Sequence, residues 1–72
     1  PRLLIVSEFW PYGLRVAGSS VMAYFRFLES KGFICHLMKN NGLQRLTEPL
    51  VAELEPLGKE HYFNIFAERA HV

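Results

Sequence analysis

The 72 residues predict an α/β domain whose strands run parallel in one sheet, and three observations carry that prediction. A continuous branched apolar run, Leu3-Leu4-Ile5-Val6, reads as a strand buried on both faces. Two helical patterns follow it, and each leads into a further apolar or aromatic run, so the order is β-α-β-α-β. Strands separated by helices need crossover connections, which place them parallel with right-handed crossovers. The result is half of a doubly wound sheet, in which ligands sit beyond the carboxyl ends of the strands.

From Ser7 to Gly18 the chain carries Pro11, Gly13 and Gly18 with little periodicity. It reads as a loop of about a dozen residues, longer than the ~2–6 usual for a strand-to-helix link. Ser19 and Ser20 can cap the next helix, expected over about 20–31 and ended by Gly32. Val21, Tyr24, Phe25 and Leu28 share one stripe of it, with Met22, Ala23 and Phe27 on the flanks, which is more apolar surface than one sheet contact requires. Phe33 to Met38 is the second strand, and Lys39-Asn40-Asn41-Gly42 is a loop by its turn chemistry. Leu43, Leu46, Leu50, Val51, Leu54 and Leu57 recur at helical spacing. Pro49 then either opens a helix at about 48–57 or kinks one that starts at 43, and Pro56 ends it. Tyr62 to Phe66 is the third strand, and Ala67 to Val72 reads as the start of another segment.

Composition narrows the function. Eight Lys+Arg against seven Asp+Glu give a net charge of +1, with no basic stripe for a nucleic acid. No apolar run approaches the ~18 residues of a membrane span. The opening residues leave no room for a secretory signal, and the single cysteine, Cys35, forms no disulfide framework, so a reducing cytoplasm is the expected compartment. A single domain over residues 1–72 would bury only ~60% of its unfolded surface, which makes a catalytic pocket built by this chain alone unexpected.

The segment Gly13 to Ser20 is the main candidate site. Gly18 permits close backbone approach, the first N–H groups of the following helix favour a phosphate or carboxylate, and Ser19 and Arg15 add donors. Alternatively, the glycines only shape a turn and the serine only caps. The spacing matches neither the dinucleotide fingerprint nor the P-loop. Glu8 could accept a proton or orient a hydroxyl, or simply be solvated. Phe9, Trp10 and Tyr12 could form a platform for a ring, or pack over the end of the sheet. His36, His61 and His71 show no ligand spacing, so no metal or cofactor is expected.

Leu3 to Ser20, then an apolar helix ending Phe-Leu-Glu-Ser-Lys-Gly-Phe (27–33), then Ile-Cys-His-Leu-Met (34–38), resembles the N-terminal edge of GT-B-type glycosyltransferases over roughly residues 2–39. The resemblance implies a Rossmann-like half-domain on the acceptor side of an enzyme that moves a sugar from a nucleotide-sugar donor to an acceptor. A second Rossmann-like domain would complete the cleft, and this portion is not expected to turn over alone. It implies a ligand-facing role for Gly18 and, more weakly, Ser19, with Arg15 and Glu8 as outside candidates. Ala17 stands where the family often has its first glycine. On that reading Gly18→Val impairs transfer while leaving folding nearly intact. The apolar helix flank would meet the missing domain, a second copy or a membrane surface. Two alternatives remain: a receiver-like signalling domain of the same topology, of whose acidic pair Ser7-Glu8 supplies only one member, and, from another class, a non-catalytic α/β interaction module that docks a partner through the aromatic loop and the helix flank.

Overall fold

A computed structural model describes residues 2–70, with side-chain surroundings for 3–69. The order is β1 (Arg2–Phe9), α1 (Pro11–Val16), α2 (Val21–Ser30), β2 (Ile34–Lys39), β3 (Gly42–Arg45), α3 (Glu48–Leu54) and β4 (Phe63–Ala70). The four strands form one sheet in the order β1-β4-β2-β3, and every neighbouring pair is antiparallel. The parallel, Rossmann-like half-domain expected from the sequence is therefore not what forms.

The cause lies in residues 39–46. Asn40-Asn41 link two strands directly, with Lys39 opposite Gly42 and Gly42 at φ +131°, a value at which a side chain would be strained. Leu43 to Arg45 accordingly pair back on β2 as β3 instead of opening a helix, and the Leu46 N–H extends the pairing by donating to Cys35 O at 2.8 Å. One added hairpin reverses the chain once, so the α3 crossover returns β4 antiparallel to β2. β4 then inserts between β1 and β2, giving two interleaved β-α-β units, each split by a strand of the other.

Several local expectations coincide with the structure. Ser20 caps α2 by accepting from the Ala23 N–H at 3.0 Å, and of the two readings of Pro49 the first holds, since it occupies the first turn of α3; the cap of that helix, Thr47, was not anticipated. Gly32 at φ +86° ends the α2 region. β1 runs through Phe9 and α1 follows at Pro11, so the segment read as one long loop is mostly strand and helix. Ala67 to Ala70 belong to β4, and His71 and Val72 lie outside the described residues.

The pleat divides the strands by parity. Odd positions of β1 and β4 and the matching positions of β2 face the helices: Phe9, Cys35, Ile65 and Ala67 join Val21, Phe25, Leu28, Leu46 and Val51 in the core. Even positions of β1, β2 and β4 face away, and Leu4, Val6, Ile34 and Met38 are exposed there, as is Leu43 of β3. All three helices thus lie on one side. Among the described residues no helix is long and apolar enough to cross a membrane.

Candidate functional site

The segment singled out from sequence, Gly13 to Ser20, is α1 and its turn into α2. Gly18 stands at φ +85° with open space around it, which is why a glycine occupies the turn. The same geometry changes the expectation for Gly18→Val: the backbone strain falls on folding itself, whatever ligand space lies beyond.

The start of α2 already holds an anion. The Glu55 carboxylate accepts from the Val21 N–H at 3.1 Å and the Met22 N–H at 2.9 Å, while Ser20 takes the Ala23 N–H. These are the donors that the helix leaves without internal partners, and a side chain from the end of α3 satisfies them. Arg15 works from the other side, donating to Glu55 O and, at 3.0 Å, to Leu57 O, with its guanidinium 5.9 Å from the centre of the Tyr12 ring. Ser19 is exposed, and its N–H donates to Leu14 O at 2.8 Å. Gly18, Ser19 and Arg15 thus come together, and Arg15 with Glu55 ties α1, α2 and α3 to one another. Glu8 stands apart from them as an exposed strand residue on β1.

A second feature lies at the carboxyl end of β1. A cleft of about 320 Å³ is lined by Ser7, Glu8, Phe9, Trp10, Gly13, Leu14 and Tyr24. Its sheet residues all come from β1, the edge strand, and none from β4. The walls are fixed by aromatic packing. Phe9 meets Tyr24 edge to face at 4.9 Å and Phe63 at 5.6 Å. Trp10 stacks on Tyr62 at 5.7 Å and 13°, and its indole N–H donates to Lys59 O at 2.9 Å. A Cβ on Gly13 would collide with the Trp10 ring, so this glycine lets the indole lie against α1.

No protein-family model, curated protein or solved structure matches the chain.

The chemistry of the cleft follows from its lining. It is mostly aromatic and aliphatic, and Glu8 is its one charged lining residue, so it suits an apolar group far better than a phosphate. Of the aromatic residues singled out from sequence, Phe9 and Trp10 line the cleft, while Tyr12 lies beside Trp10 with ring centres 5.6 Å apart. Leu14 and Tyr24 were missed as lining residues because the first read as loop and the second as part of the stripe that packs on the sheet. Strict register adds the other half of the picture: β1 pairs with β4 at all eight positions from Arg2 to Phe9 without a bulge, and its opposite edge pairs with nothing among the described residues. On the helix flank, Met22 is half-buried against the core, while Phe27 stays 57% exposed with the Lys31 ammonium 5.7 Å from its ring centre. Among the described residues no three His, Cys, Asp or Glu side chains gather as a metal-like group.

Proposed function

We propose that this chain is a protein-interaction module that takes up an extended chain segment along β1 and anchors one large apolar side chain of it in the aromatic cleft. One observation carries the reading: the strand residues that line the cleft, Ser7, Glu8 and Phe9, all belong to β1, an eight-residue strand whose outer edge pairs with nothing among the described residues. An edge strand offers a row of N–H and C=O groups that a second strand can satisfy, and a pocket beside it selects the side chain that arrives. Natural edges are usually blunted by proline, lysine, a bulge or brevity. Leu3 to Phe9 contain no proline and no lysine, and their pairing with β4 is regular.

The glycosyltransferase expectation rests on the resemblance over residues 2–39, which implies a parallel strand frame and a turn at Gly18 and Ser19 that faces the ligand. The sheet here is antiparallel and the helix start after that turn is filled by Glu55, so neither feature supports a nucleotide-sugar site. The interaction reading needs neither.

Trp10 is the sole tryptophan and lines the cleft, so its emission reports occupancy. A short synthetic peptide with leucine at alternate positions is expected to shift Trp10 emission and to slow amide exchange along β1. The same peptide with proline at the intervening positions, which cannot donate to a ladder, should do neither. Unchanged emission together with unchanged exchange would rule out strand addition at this edge.

A further inference from the structure

The extended segment that best fits this edge is the edge itself. We infer that two copies of the chain pair β1 against β1 about a two-fold axis perpendicular to the sheet, making one eight-stranded antiparallel sheet; this rests on the strand-addition reading above and names its partner.

Geometry restricts the register. A two-fold of this kind keeps the two sides of the sheet matched, so each residue must lie opposite one of the same parity, and the axis must pass beside a single residue that faces its own copy. Ile5 is the position that sits near the middle of β1 and points to the helix side. With the axis there, Leu3 of each copy lies opposite Ser7 of the other. Ser7 is a wall of the cleft, and Leu3 is on the same side of the sheet yet 45% exposed. The exposed leucine of each copy therefore meets the mouth of the other's apolar cleft, and the two contacts are identical by symmetry. On the helix-free side the same register sets Leu4, 58% exposed, beside Val6, 65% exposed, as cross-strand neighbours. One choice of axis thus finds a partner for three exposed apolar side chains in each copy, and it uses only groups that the monomer leaves open. The net charge of +1 sets little repulsion against the association of two copies.

Sedimentation equilibrium on the wild-type chain, Leu3→Asp and Leu43→Asp tests the pairing. The wild type should sediment at twice the 8.3 kDa of one chain. Leu3→Asp, which brings a carboxylate to a cleft already carrying Glu8, should raise the dissociation constant by about tenfold or more. Leu43→Asp, on the far edge strand β3, should leave the dimer intact. A wild type that stays monomeric at its highest soluble concentration overturns self-pairing, and the Trp10 peptide titration then decides separately whether β1 accepts a strand at all. Dissociation by Leu43→Asp but not by Leu3→Asp also overturns it, since the copies would then meet elsewhere. Should Leu3→Asp lose its circular dichroism signal, amide exchange of the wild type at low and high concentration replaces it. Slower exchange confined to β1 at high concentration supports the pairing, and exchange independent of concentration refutes it.

Discussion

Along β2, Cys35 is 2% exposed while its neighbour Ile34 is 42% exposed, and the same contrast runs across the sheet, with Ile65 at 1% and Val6 at 65%. The side that bears the helices excludes water, and the other side holds apolar residues in the open. His36 lies half-buried on that side with its ring 6.3 Å from Phe66, and its Nδ1 is shielded from solvent with no hydrogen-bond partner among the described residues. Stability and association therefore reside on opposite sides of the sheet. Apolar residues on the covered side stabilise the monomer by leaving water, at roughly 25 cal/mol per Å² buried, whereas those on the open side and the β1 edge gain that energy only when something else covers them.

The largest test of this division is a pair of truncations. Ile65→Ala should cost about 2–5 kcal/mol in urea denaturation, because the loss of a packed side chain leaves a cavity among Phe25, Val51 and the rest of the core. Val6→Ala should change monomer stability by less than about 0.5 kcal/mol, measured at dilution where no association contributes. If Val6→Ala costs as much as Ile65→Ala, the open side is covered in solution, and the contrast between the faces disappears.

A smaller effect separates structural anion from ligand site at the start of α2. Glu55→Ala removes the acceptor for the Val21 and Met22 N–H groups and should destabilise by about 2 kcal/mol, the scale of hydrogen bonds to a charged group. Ser20→Ala should cost about 1 kcal/mol through loss of the cap, whereas Ser19→Ala should be close to neutral. Thermal melts of the three variants check the ranking. A neutral Glu55→Ala would mean that these donors are free to receive something from outside.

These effects also mark what the sequence could disclose. A cap at Ser19 or Ser20, the stop at Gly32 and the buried Cys35 depend on a few adjacent residues and were legible, while Pro49 was narrowed only to a first-turn position or a kink. The antiparallel order was not, because it hangs on whether Leu43 to Arg45 continue as strand or turn helical, and Leu43, Leu46 and Leu50 satisfy helical spacing by coincidence. Pairing with β2 decides the matter, and pairing is a long-range fact. The occupant of the α2 start was hidden for the same reason: Glu55 lies more than thirty residues from Val21 in sequence, and only the α3 crossover brings them together. Leu4 and Val6 read as interior residues because a continuous apolar run implies two covered faces, and here both are exposed on a face that the described residues leave uncovered.

Cys35 gives the gentlest probe of the covered side. Burial pushes its thiol pKa up, Glu29 adds in the same direction, and Arg45 opposes. A group whose pKa is raised by folding contributes its full stability below the ordinary thiol range. That contribution falls as pH climbs toward the folded value, since the unfolded thiol ionises first. Urea midpoints of wild type minus Cys35→Ala should therefore shrink between neutral and alkaline pH, and the subtraction removes the other titrating groups. In the native protein at neutral pH, alkylation of Cys35 should be slow and should follow unfolding, because the thiolate is the nucleophile and this sulfur is both protonated and enclosed. Rapid alkylation of the folded chain would place Cys35 within reach of solvent, which the helix layer over β2 forbids, and the covered side would then open far more often than its packing implies.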